Sequence, residues 1–163
     1  MLWLIRGLPG SGKTAFANGL GCLVLDADAW HVRGGKYQYR RCRVGAAREW
    51  CFDRARAALR LGLDVAVPDV FPLGKFLSRY VEMAREEGAP VTIVEMSGEH
   101  GNVHHVPCAA IQEMKKTWEP IPPEWERTVR VMMIGDGRAP GREGCTGTGA
   151  QVNYYAYCGA GES

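Results

Sequence analysis

The chain has 163 residues, 46% of them hydrophobic and 23% charged, with a formal net charge of +2. That is the length of one domain with enough apolar material for a core, and the charge is too small for wholesale attraction to nucleic acid, so such a contact needs a local basic cluster. Six cysteines, at 22, 42, 51, 108, 145 and 158, show no C-x-x-C pair; this argues against a disulfide scaffold and fits a reducing cytoplasm.

Leu2-Trp3-Leu4-Ile5 reads as a buried first strand, too short for a signal peptide or a membrane span. Directly after Arg6 comes Gly7-Leu8-Pro9-Gly10-Ser11-Gly12-Lys13-Thr14, which fills every required position of a phosphate-binding P-loop. Its glycines let the backbone turn tightly, so that successive N–H groups face an anion, and the helix opening near Lys13 adds its positive end. Lys13 is expected on the β and γ phosphates of ATP, and the Thr14 hydroxyl on the accompanying magnesium. Residues 14–20 read as a short helix and Leu23-Val24-Leu25 as a second strand, with Asp26 and Asp28 at its end. From Gly34 to Arg43 the chain is polar and loop-like. Ala47, Trp50, Cys51, Ala55, Ala58 and Leu59 then recur at helical spacing up to Gly62. Asp64-Val65-Ala66-Val67 is a third strand that Pro68 is expected to halt, with Asp69 at its end. Phe76, Leu77, Tyr80, Val81 and Ala84 mark a third helix, and 91–95 a fourth strand. Ser97 to Val106 is a polar connection expected to act as a lid. Pro107 can open a helix carrying Ile111, Met114 and Trp118, which Pro120, Pro122 and Pro123 end, and 129–134 is a fifth strand. The alternation predicts a three-layer α/β P-loop NTPase fold with a mainly parallel five-stranded sheet over 1–134. Residues 135–163 read as a glycine-rich tail in which Val152 to Tyr157 can form one edge strand.

In open parallel sheets ligands gather outside the carboxyl ends of the strands, which here carry the P-loop, Asp28, Asp69 and the loop after Glu95. Phosphoryl transfer asks mainly for positioned reactants and charge neutralisation. Asp28 is the candidate base toward an acceptor hydroxyl, although Asp26 or Asp28 can equally cap a turn or helix. Asp69 is the candidate metal or substrate carboxylate; strand ends are also rich in turn-forming aspartates. Arg33, Lys36, Arg40, Arg41 and Arg43, interleaved with Tyr37 and Tyr39, can hold a phosphorylated or single-stranded nucleic-acid substrate by charge and stacking, or can be a solvated loop. His100, His104, His105 and Cys108 lack the second ligand pair of a structural zinc site. Trp50, Tyr80 and Trp118 fall on apolar helix faces and are expected in the core.

The ordered set of the P-loop, Asp26-Ala27-Asp28-Ala29-Trp30, Ala47-Arg48-Glu49-Trp50-Cys51, Asn102 to Pro107 and Trp118-Glu119-Pro120 resembles small polynucleotide-kinase-like P-loop kinases. Within them it is similar to AAA-type ATPases like the Nedd-type ubiquitin-ligase-binding protein 2, many of them phage encoded. The resemblance runs over residues 1 to about 122. It implies that Asp28 is the base toward a 5′-hydroxyl and that Asp69 lies near the substrate. The arginine that such kinases carry before the asparagine matching Asn102 is Gly101 here, their threonine is Val70, and their long-helix histidine is Arg48. Charge stabilisation in the transition state then falls to Arg48, to an arginine of the basic loop or to another subunit. The chain is thus expected to be an ATP-dependent kinase acting on a hydroxyl, of a polynucleotide 5′ end or of a small metabolite. The alternative is a non-catalytic ATP-binding module read by a partner protein; no membrane partner is expected.

Overall fold

The computed structural model describes residues 1–33, 36–37, 40–98, 106–123, 125 and 129–135. In chain order the elements are β1 (Leu2–Gly7), α1 (Lys13–Gly19), β2 (Leu23–Val24), α2 (Ala27–Trp30), β3 (Val32–Arg33) and β4 (Lys36–Tyr37). A 3-10 turn (Arg41–Arg43), α3 (Val44–Arg60), β5 (Val65–Asp69), α4 (Gly74–Glu86), β6 (Val91–Met96), α5 (Cys108–Lys116) and β7 (Arg130–Ile134) follow. Five strands form one parallel sheet in the order β2-β5-β1-β6-β7. This is the α/β P-loop kinase-like architecture, with the P-loop strand at the centre.

Both faces of the sheet are covered, which is why β1, β5 and β6 are almost continuously apolar. Leu2, Leu4, Val65, Val67 and Ile93 pack on one face with Phe52, Ala55, Leu59, Leu77, Tyr80 and Met83 of α3 and α4. Ile5, Ala66, Val94 and Met96 pack on the other with Ala17, Phe16 and Leu20. The two-residue period of a strand continues the first set into Arg6, Asp69 and Glu95, and the pairing sets Arg6 opposite both Asp69 and Glu95. Three charged residues therefore end three adjacent strands on one face.

Two expectations need correction. Pro68 does not stop the third sheet strand, which runs on to Asp69. Asp64 and Ala66 turn their carbonyls toward β2, accepting from Leu23 N at 3.1 Å and Leu25 N at 2.8 Å. By alternation Pro68 faces the same way, beyond the last residue of β2, so its missing N–H interrupts no ladder. The stretch 34–43 is not all loop: Val32 pairs with Tyr37 and Arg33 with Lys36 in an antiparallel ribbon. The intervening Gly34-Gly35 is a two-residue hairpin signal that the polar composition masked.

The Val152–Tyr157 edge strand lies outside the described residues, as do Gly101, Asn102, His100, His104 and His105 in the expected lid.

Candidate active site

The P-loop leaves β1 at Gly7 and closes on itself through one carbonyl. Leu8 O accepts from Ser11 N at 3.1 Å and from Lys13 Nζ at 2.8 Å. Gly10 and Gly12 have φ of 84° and 90°, a left-handed conformation open to glycine at little cost, and Gly12 is the residue from which α1 starts. α1 has no acidic residue in its first turn, so the positive end of the helix is left for an anion.

Three aspartates surround Lys13. Burial lowers its ammonium from the usual 10.5 to about 8, although Asp69, Asp26 and Asp28 all pull the other way. Desolvation wins because the amine is folded under the loop against a carbonyl dipole, where one neutral hydrogen bond replaces a hydration shell.

Asp26 does two jobs. Its Oδ1 accepts from Asp28 N at 2.9 Å, the N-cap of α2, and its Oδ2 accepts from the Thr14 hydroxyl at 3.1 Å. Burial raises its carboxyl above the ordinary range; the Asp28 N–H opposes this, and the Asp28 and Asp69 charges add to it. A half-buried carboxylate touching the P-loop threonine and crowded by like charge suits a divalent cation, so Thr14 and Asp26 are the pair that fits magnesium.

Asp69, at the carboxyl end of β5, has both oxygens engaged. Oδ1 accepts from Val70 N at 2.7 Å and Oδ2 from Arg48 Nε at 3.0 Å. Arg48 projects from α3 with its guanidinium 4.8 Å from the Phe76 ring centroid, half-exposed at the cleft. Lys13, Thr14, Asp26, Asp28, Asp69 and Arg48 thus converge from the P-loop, α1, α2, α3 and the end of β5. Of the basic cluster, Arg40 is exposed; the side chains of Arg33, Lys36, Tyr37 and Arg41, and all of Tyr39, lie outside the described residues.

Sequence reading named Asp26 only as a cap, and its position directly after the second strand was the available signal. It overlooked Arg6 and Glu95, whose signal was an arginine closing an apolar strand. Trp118 is not a core residue of a helix face: it follows the end of α5 and lies over the Arg6 guanidinium, 4.1 Å from the ring centroid. Tyr80 is buried among Phe52 and Phe71, and Trp50 packs half-buried against the core.

Residues 2–102 match the family model described as AAA domain. A sugar kinase from Janibacter sp. HTCC2649 superposes with a TM-score of 0.58 at 16% identity, over 85% of this chain and 87% of that one. Chaetomium thermophilum Kti12, solved in complex with ADP-AlF3, gives 0.54 at 14% identity over 84% and 90%. A gluconokinase from Sinorhizobium meliloti 1021 gives 0.52 at 19% identity over 85% and 83%. At such identities the likeness establishes the fold. No helix among the described residues is long and apolar enough to cross a membrane.

Proposed function

The chain belongs to the AAA domain family, a P-loop ATP-binding domain, and on that premise we propose that it is an ATP-dependent kinase for a small hydroxylated acceptor. The observation that carries the proposal is the convergence on Lys13 of three carboxylates, one joined to the Thr14 hydroxyl and one to Arg48. An ATP holder needs the P-loop and a magnesium partner; a further carboxylate at the cleft is what a phosphoryl acceptor requires.

The proposed roles divide among these residues. The P-loop residues Gly7 to Thr14 cradle the phosphates, with Lys13 leaving the Leu8 carbonyl for the β and γ oxygens. Magnesium, held by Thr14 with Asp26, supplies neutralisation of phosphate charge when bound. Asp28, at the start of α2, orients the acceptor hydroxyl and takes its proton as that oxygen attacks the γ phosphorus. The bond to the β,γ-bridging oxygen breaks and ADP leaves. Asp69, fixed by Arg48 and Val70 N, serves the acceptor, and the Arg48 guanidinium offsets charge that develops on the transferring group. Tyr37, Arg40 and Arg41 would serve a polynucleotide 5′ end, the second acceptor class. The sugar kinase and gluconokinase likenesses favour the small-acceptor version, since both names describe phosphorylation of a polyhydroxyl compound.

Labelled ATP with magnesium, offered to a panel of sugars, sugar acids, nucleosides and 5′-hydroxyl oligonucleotides, tests the reading. Transfer to a small polyhydroxyl compound is expected. Calorimetric ATP binding with no transfer to any acceptor would replace the kinase by a nucleotide-binding module.

A further inference from the structure

Arg6 is a charged residue at the centre of the sheet with no exposed surface. Its NH2 donates to Glu119 O at 2.9 Å, its NH1 lies 3.5 Å from Glu95 Oε2, and Trp118 closes over its plane. Its Nε and NH1, together with Ser11 Oγ, are buried without a hydrogen-bond partner, while the Trp118 indole faces the Glu95 carboxylate and helps hold its charge. Buried donors left in this way favour any rearrangement that satisfies them.

Arg6 stands next to Gly7, which Ser11 and Met96 both border. At the P-loop end the packing is tight: a Cβ placed on Gly7 would meet Ser11 Oγ and come within 2.6 Å of Met96 O. Met96 follows Glu95 in β6, and Glu95 faces Arg6. Beyond Arg6, Glu119 ties down the far side of the turn after Asp69 through two contacts. Its N–H donates to Pro72 O at 2.8 Å and its Oε2 accepts from Gly74 N at 2.6 Å. Inside that turn Phe71 has a φ of 44°, unusual for a residue with a side chain. The strap Trp118–Glu119 therefore joins the base of the P-loop to the segment that presents Asp69.

We infer that Arg6 is a positioning residue that couples nucleotide occupancy of the P-loop to the order of the Asp69–Gly74 turn, acting through Glu95 on one side and Glu119 on the other. Filling the P-loop shifts Ser11 against the end of β6. Glu95 then moves from 3.5 Å into a charge-assisted pair with Arg6, which draws the Glu119 carbonyl and its strap inward. The inference rests on ATP occupying the P-loop and is independent of kinase chemistry.

Hydrogen exchange of the Gly74 and Glu119 amides in the full chain, with and without a non-hydrolysable ATP analogue and magnesium, measures the coupling. In the parent chain the analogue should slow both amides by about tenfold, a normal coupling magnitude. The double variant Arg6→Met with Glu95→Leu removes both charges together, since a buried pair exchanged for apolar residues usually keeps the fold. It should bind the analogue within about threefold of the parent by calorimetry, yet lose the slowing. A bolt without coupling would instead speed exchange equally in both states, leaving the ratio intact. Trp118→Leu, at a half-buried position, should weaken the response and serves if the double variant fails to fold. An unchanged ratio in whichever variant folds, or a parent that binds the analogue with no slowing, overturns the inference alone. Absence of any binding heat would overturn it together with the ATP assignment.

Discussion

Lys13 titrates near 8 in the nucleotide-free chain, so ATP binding should take up protons at alkaline pH. With an ammonium value of about 8, roughly a tenth of the chains carry a neutral Lys13 at pH 7 and about three quarters at pH 8.5. The triphosphate favours the charged form, because its oxygens replace the Leu8 carbonyl and outweigh the desolvation that depressed the value. Binding at pH 8.5 should therefore absorb about 0.7 of a proton, against about 0.1 at pH 7, and affinity should fall about tenfold per pH unit above 8. Calorimetry in two buffers of different ionisation enthalpy reads the proton count. The window lies above phosphate titration, whose second ionisation is near pH 6. Folding stability provides the complementary sign. A base whose folded value lies below 10.5 destabilises the nucleotide-free fold fully below pH 8, and this effect fades as pH climbs from about 8 toward 10.5. Lys13→Met should therefore melt no lower than the parent at pH 7 without nucleotide, while showing no pH-dependent proton uptake with it. Equal uptake at pH 7 and 8.5 in the parent would refute the account of a desolvated amine.

Asp26→Ala removes both the α2 cap and the Thr14 partner; it should lower stability by about 1 kcal/mol in a thermal melt. The magnesium concentration for half-maximal nucleotide binding should also rise about tenfold or more. Asp28→Asn should reduce the rate of phosphoryl transfer by about 100- to 10,000-fold while leaving the ATP Kd within about threefold, and a loss confined to ATP binding would remove Asp28 from the base role. Arg48→Met frees Asp69 Oδ2 and should raise the acceptor KM or lower kcat by at least about tenfold with nucleotide affinity unchanged, read by steady-state kinetics against equilibrium binding. Gly7→Ala sets a methyl against Met96 O and Ser11, and should cost about 1–3 kcal/mol of stability and weaken ATP binding in the same melt and titration.

The order of elements and the P-loop were legible because they follow from local rules: strand period, helical spacing, and a loop whose glycines must adopt left-handed angles. Pro68 was misread because local propensity assumes that every strand residue has neighbours on both sides, whereas the neighbour of β5 ends two residues after it begins. The Val32–Tyr37 ribbon was missed because it is only two residue pairs long and has no apolar period. Asp26 shows the limit at the site itself. Sequence separates Thr14 from Asp26 by a helix and a strand, and only the return of β2 beside β5 brings the hydroxyl and carboxylate to 3.1 Å. The meeting of Arg6, Glu95 and Glu119 was illegible for the same reason. The ends of β1 and β6 that carry Arg6 and Glu95 are adjacent through non-sequential pairing, and Glu119 reaches Arg6 across 113 residues of chain.

The balance of charge at the cleft argues for the order in which its parts are used. Asp26, Asp28 and Asp69 contribute three formal negative charges near Lys13, and Asp69 is paired with Arg48. Lys13 offsets a further one of these charges. A bare triphosphate would enter against that surplus, and at an effective dielectric near 20 each unit of unscreened charge at about 4 Å is worth about 4 kcal/mol. On the proposed reading, nucleotide arriving with a divalent cation would reverse the sign of the interaction, because Thr14 and Asp26 would face a positive ion and Lys13 would exchange the Leu8 carbonyl for phosphate. The same surplus suits the second half of the reaction. On the proposed kinase reading Asp28 serves the acceptor while Asp69 is held by Arg48 and Val70 N, so that one carboxylate accepts a proton while its neighbour stays fixed.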